Sequence, residues 1–211
     1  MKKTLPLSII PFLGLILILS SSSTLISEKK RHTYVGSGVC GECHAAESIG
    51  NQYEHWLRSP HAKAVLILKT ESGLTIGKKL SIASPADDQA CLKCHTTGGG
   101  REEKVRGEGV GCEACHGPGS DYYECINHVD TVNRMSAYEK ARKNGMYPTL
   151  GIKNIKKREK LCLHCHNDKR PCFPDDPKEI YRQSISLQVI TSLRKGTMNF
   201  NHHLIPPFPQ Y

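Results

Sequence analysis

Apolar residues are spread unevenly along this chain. Leu5 to Leu19 form a mainly apolar stretch behind Lys2 and Lys3, and serines follow at positions 20 to 23. That is the layout of a secretory signal, a positive n-region ahead of a short apolar h-region. The stretch is short for a membrane span and is interrupted by Pro6 and Pro11. Residues 1–27 therefore read as a signal peptide cut near Ser23, although no clean A-x-A site is present. A retained N-terminal anchor is the other reading. Either way the rest of the chain leaves the cytoplasm, for the periplasm or an equivalent extracytoplasmic space.

Beyond this leader, no run alternates apolar and polar residues convincingly enough for a strand. Helical spacing is short and local. It predicts a turn at each cysteine pair and helices over Glu47–Leu57, Ser136–Asn144 and Lys156–Cys165. One longer helix is well punctuated: Asp176 can cap it, Pro177 suits its first turn, Glu179 completes a capping box and Gly196 can end it. TTGGGREE after His95 and GPGSD after His116 read as loops. The expected fold is mainly α with long loops and little or no β, a single compact domain over residues 34–205.

The pattern changes meaning at the cysteines. CGECH begins at Cys40, CLKCH at Cys91, CEACH at Cys112 and CLHCH at Cys162, so every CxxC pair is followed at once by histidine. That pentapeptide is the attachment signal for c-type haem. Two thiols one helical turn apart can form thioethers with both vinyl groups of a porphyrin, and the next histidine then presents its imidazole to the iron from the same side. Four matches out of four make the signal specific. Paired CxxC also builds zinc ribbons, but those need no fifth residue, and four pairs plus four histidines would oversupply two tetrahedral sites. A thioredoxin-like dithiol needs a βαβ setting that the pattern does not show. The candidate cofactor-binding residues are thus Cys40, Cys43, Cys91, Cys94, Cys112, Cys115, Cys162 and Cys165, with His44, His95, His116 and His166 as proximal iron ligands. The cofactors are four covalently attached haem c groups, and the fold is a tetrahaem cytochrome built around them. The motifs are unevenly spaced, and the close pair at Cys91 and Cys112 points to two haems in near contact.

Composition fits this reading. Aromatics are only 6% of the chain and mean hydropathy is −0.42, so the polypeptide is lean for a conventional core and the porphyrins must supply most of the apolar interior. The formal net charge of +9 is largely offset by haem propionates and is not read as nucleic-acid binding. The basic run from Lys153 to Lys160 reads as a solvated helix face, or as a docking patch for an acidic redox partner.

Seven histidines lie outside the motifs: His32, His55, His61, His128, His164, His202 and His203. Open haem faces need partners, and a second imidazole gives low-spin iron suited to electron transfer. WLRSPHAKAV at Trp56 to Val65, a CxxCH with a Gly-rich loop, GVGCEACHGPG at Gly109 to Gly119, and then His128 together resemble the cytochrome c-554 family, from about Tyr34 to His203. The resemblance implies His44 with His128 at haem 1, His61 with His116 at haem 3, and His166 with His202 or His203 at haem 4. It leaves His95 without a protein partner at haem 2. The chain departs from the family in the distance between its first motif and Trp56, and in the additional His55. Cys125 and Cys172 belong to no motif and are expected either to form a disulfide or to be buried and inert. RPCFP, with Cys172 and Phe173, roughly matches the family segment over the open face of haem 2.

The expected function is an extracytoplasmic electron carrier whose partners are other redox proteins; there is no nucleic-acid partner, and membrane contact arises only if the N-terminal segment is retained. The alternative is a small nitrogen-oxide or hydroxylamine reductase using a five-coordinate haem 2, although no CxxCK motif is present. A wiring subunit of a larger complex would have the same sequence features.

Overall fold

The computed structural model describes residues 30–130, 132–149, 154–167, 170 and 172. The chain divides between Arg31 and His32, and all elements below belong to the second part. The leader at 1–27, the helix expected from Asp176 to Gly196, and His202 and His203 lie outside the described residues.

Among the described residues there are eight α-helices and no strand: α1 Ser37–His44, α2 Gln52–Leu57, α3 Glu71–Lys79, α4 Gln89–His95, α5 Glu103–Arg106, α6 Cys112–His116, α7 Arg134–Lys143 and α8 Ile155–Leu163. Three of the motifs fill or end a helix, at α1, α4 and α6, and the fourth begins in the last turn of α8. The helices expected at 136–144 and 156–165 correspond to α7 and α8. On α8, Lys156, Lys157 and Lys160 are exposed, as a solvated face requires.

Two expectations need correction. The single helix over Glu47–Leu57 is broken: a 3-10 turn at Glu47–Ile49 stops at Gly50, and Asn51 also adopts left-handed φ before α2 begins. Two consecutive left-handed residues cannot continue a right-handed helix. The stretch TTGGGREE is more ordered than a loop, since it forms a 3-10 turn at Thr97–Gly100 and enters α5.

The apolar core is small. Val65, Leu68 and Leu92 form its buried cluster, with Ala86 and Cys91 packed against it. The helix ends are held by side-chain caps: Thr70 accepts from Gly73 N, Asp88 from Ala90 N and Asn133 from Ser136 N. The core therefore sits directly behind α4, the helix of the second motif.

Candidate haem site

Polar contacts, more than apolar packing, bring the motifs together. Glu113, the second residue of CEACH, is 1% exposed. Its carboxylate accepts from Val35 N, from Gly36 N at 2.8 Å and from Gly119 N at 2.6 Å. Glu108 accepts from Ser37 N at 2.7 Å and from the Thr97 hydroxyl at 2.9 Å. Cys112 N donates to Ser37 Oγ and Gly111 N to Thr97 Oγ. The start of the first motif, the loop after the second and the start of the third are thereby tied to one another. Buried carboxylates persist only when satisfied in this way.

The same region explains why WLRSPHA and GVGCEACHGPG travel together. The Trp56 indole N–H donates to Val110 O at 2.9 Å, and Val110 N donates to His61 O at 2.9 Å. Gly109 has φ +76, and a Cβ there would lie 2.6 Å from His61 O. Only glycine meets both conditions. The backbone preceding the third motif is thus clamped against the turn that presents His61.

The imidazoles are oriented one nitrogen at a time. His44 Nδ1 bonds Gln52 Oε1 at 3.3 Å, His95 Nδ1 bonds Ala64 O at 2.6 Å and His128 Nδ1 bonds Glu124 O at 3.0 Å. Each partner oxygen accepts, so Nδ1 carries the proton and Nε2 keeps its lone pair. This is the tautomer an iron-binding histidine needs, with the ring fixed through its other nitrogen. Gln52 is itself held, because its amide donates to Ile49 O, which turns Oε1 toward His44. Burial pushes the His44 and His166 imidazoles below the usual histidine range, favouring the neutral form.

His44 and His128 stand with ring centroids 6.3 Å apart and planes inclined by 27°. A metal bound at about 2 Å to one nitrogen of each of two rings, with about 1.1 Å more to each centroid, separates the centroids by about 6.2 Å when the bonds are collinear. The observed separation is of the size that one iron held by both rings would require, and these are the two histidines that the resemblance implies for the first motif. Tyr122 supports the assembly, its ring meeting His128 edge-on at 6.3 Å while its hydroxyl donates to Gly117 O at 2.6 Å. Among the described residues no three His, Cys, Asp or Glu side chains converge on a metal position. A porphyrin supplies four of the iron's ligands itself, so two facing imidazoles suffice.

A second pair of histidine rings also meets. The His61 ring meets that of His166, with centroids 5.9 Å apart and planes at 77°. Thiols of different motifs also meet. Proximity to Cys40 lowers the Cys112 thiol below its usual range, and proximity to Cys165 does the same for Cys94. Cys125 raises the thiol of Cys43 in the first motif, while burial, Asp88 and Cys172 push the Cys91 thiol up. The thiol contacts thus join the first motif to the third and the second to the fourth. The second and third, close in sequence, meet instead through Thr97, whose N–H donates to Gly109 O.

Cys125 and Cys172 both carry free thiols. They lie beside different motifs, and Cys125 is exposed, so neither the mutual disulfide nor inert burial of Cys125 is found. His164 is exposed, as expected of the third residue within its own motif. Sequence reasoning missed the orienting oxygens: two are backbone carbonyls, and Gln52 has no motif to mark it. The role of Glu113 was visible only as an acidic residue inside CEACH.

A model of the family described as cytochrome c554 and c-prime matches residues 39–117. The chain is 29% identical over 144 residues to the cytochrome c-554 of Nitrosomonas europaea, a match covering 63% of this chain and 57% of that protein. It thus spans little more than half of that relative. No solved structure matches. The matched segment contains the first three motifs, the Trp56–His61 turn and the glycine clamp described above, and over it the chain is similar to the c-type cytochromes of the cytochrome c-554 family.

Proposed function

We propose that this chain is a four-haem c-type cytochrome, an electron carrier that works outside the cytoplasm, taking electrons from one redox protein and passing them to another. The adjacent imidazoles of His44 and His128, with ring centroids 6.3 Å apart and each Nδ1 proton committed to an oxygen, carry this reading. An iron held between two such rings changes ligation little between its oxidation states, which suits electron transfer and closes it to substrates.

In this reading Cys40 and Cys43, Cys91 and Cys94, Cys112 and Cys115, and Cys162 and Cys165 each hold one porphyrin, and the haems supply one-electron iron couples. His44, His95, His116 and His166 bind from the motif side. His128 faces His44. His61 stands nearest the fourth motif, where His202 and His203 are the other candidates. Glu113, Glu108 and Trp56 fix the spacing between motifs and so the distance over which electrons pass. Residues 1–27 act as the export signal. Among the described residues no helix is long and apolar enough to cross a membrane.

Intact-mass analysis of protein matured in a haem-ligating host should show a gain of four haems. Electron paramagnetic resonance of the ferric protein should show low-spin signals for the haems with two imidazoles. A smaller mass gain overturns the four-haem reading. A high-spin centre that binds nitrite or nitric oxide and turns it over would establish the reductase in place of the carrier.

A further inference from the structure

An open cleft of about 600 Å³ lies between His95 and the segment from Arg58 to Thr70. Its walls include Ala64, Leu66 and Ile67, and its cations are Arg58 and Lys63. Leu66 is 57% exposed and Ile67 50%, unusual for large aliphatic residues so close to the core cluster. Among the described residues neither Arg58 nor Lys63 forms an ion pair with a carboxylate. The cleft is therefore apolar in its walls, cationic on one side and lined by a proximal histidine.

We propose that Arg58 and Lys63 are the propionate-binding residues of the haem carried by Cys91 and Cys94. The proposal rests on the reading above that the second motif holds a haem. Thioethers fix one edge of a porphyrin to α4, and its two carboxylates project from the opposite edge. Cys91 packs against the cluster of Val65, Leu68 and Leu92, whose first two residues flank the Leu66 and Ile67 of the cleft wall, so the macrocycle would leave α4 along the 64–67 segment. The hydrogen bond from His95 Nδ1 to Ala64 O, at 2.6 Å, holds this segment and the proximal imidazole in one frame. Lys63 precedes Ala64 directly, and Arg58 caps the C-terminus of α2. A planar guanidinium and a flexible ammonium are suited to two neighbouring carboxylates. Size separates this from a site for a free small anion. At roughly 30 Å³ per water-sized molecule, a cleft of 600 Å³ far exceeds what a three-atom anion fills, and such an anion would leave Leu66 and Ile67 uncovered.

A cation beside the propionates favours the ferrous form, which carries one positive charge fewer. Matured holoprotein would be compared with Arg58→Gln, Lys63→Gln and the double variant by optical redox titration. The second-motif haem would be assigned through His95→Met. Lys69→Gln, in the neighbouring turn but outside the cleft lining, serves as control. Neutralising both cations should bias that haem alone about tenfold toward the ferric form, about 59 mV for one electron. The charge-conserving Arg58→Lys and Lys63→Arg forms should stay within about twofold of the parent. A double variant that matures without this one haem, and regains it on charge-conserving substitution, supports the same assignment. A full haem complement with that haem unmoved, or all haems moved equally, overturns it. So does weaker nitrite binding with unchanged potentials, which would assign the cations to a free anion. A parent protein whose Cys91–Cys94 peptide carries no haem mass would instead remove the four-haem reading beneath the proposal.

Discussion

At the scale of single residues, the histidines were legible in the sequence and their orientation was not. A CxxCH names its own proximal ligand. Nothing local says that His44 is turned by Gln52, because Gln52 lies across the left-handed break at Gly50 and Asn51, where the helical spacing predicted a continuous helix. That break sets the bond from His44 Nδ1 to Gln52 Oε1 at 3.3 Å. Replacing Gln52 with Glu would put a carboxylate on the Nδ1 proton and make the imidazole a stronger donor to ferric iron. One haem should then shift toward the oxidised form, by about tenfold or about 59 mV. Gln52→Ala should leave that haem in more than one ligand orientation, seen as broadened low-spin resonance. If both variants reproduce the parent's titration and spectrum, Gln52 does not govern that ligand. Gly109 poses a steric question. Its φ of +76 costs a residue with Cβ about 1–2 kcal/mol, and that Cβ would lie 2.6 Å from His61 O and 2.8 Å from Ala62 O. Gly109→Ala should lose at least about 2 kcal/mol of holoprotein stability in guanidinium unfolding. An unchanged midpoint would mean that the 61–62 turn yields freely.

At the scale of elements, what could be read depended on which face of a helix turns inward. α7 has an ordinary face, with Ala137 and Ala141 buried one turn apart. α3 escaped detection because its pattern is inverted. Gly73 and Gly77 point inward, where a Cβ would meet the backbone near Leu68 and the ring of Pro85, while Leu74 is 50% exposed. A helix that approaches its neighbours by glycine leaves no apolar stripe to find. The motif helices show the reverse: their sequence marks them clearly, yet too few buried apolar residues surround them to hold them in place. That task falls to Glu113, whose carboxylate receives the N–H groups of Val35, Gly36 and Gly119 around α6. Glu113→Gln retains one acceptor oxygen and turns the other position into a donor facing donors. It should cost about 2 kcal/mol and lower the yield of protein carrying its complete set of haems, read by intact mass. Parent-like stability and haem content would show that the N–H groups find other acceptors.

At the scale of the whole molecule, the described fold does not look self-sufficient. Its buried cluster is Val65, Leu68 and Leu92, and large apolar residues such as Ile126, at 73%, stay exposed. Seven named apolar residues are buried among those described, far short of the core by which a chain of this length offsets its conformational entropy. The hydrogen bonds that join the motifs cannot make up the difference, since each contributes about 1 kcal/mol net. Porphyrins can, because each is a large apolar plate fixed covalently beside the segments that would bury it. The net charge of +9 points the same way: without propionates the chain repels itself, and the eight propionates of the four haems proposed above would offset most of that charge. Protein expressed without haem ligation, with its cysteines kept reduced, should therefore show helical circular dichroism well below that of the holoprotein and a gradual loss of signal with denaturant. The holoprotein should unfold in one steep transition at much higher denaturant. A haem-free chain giving the same sigmoidal curve, with a similar midpoint, would show that the polypeptide folds on its own contacts and that the haems only occupy a frame already built.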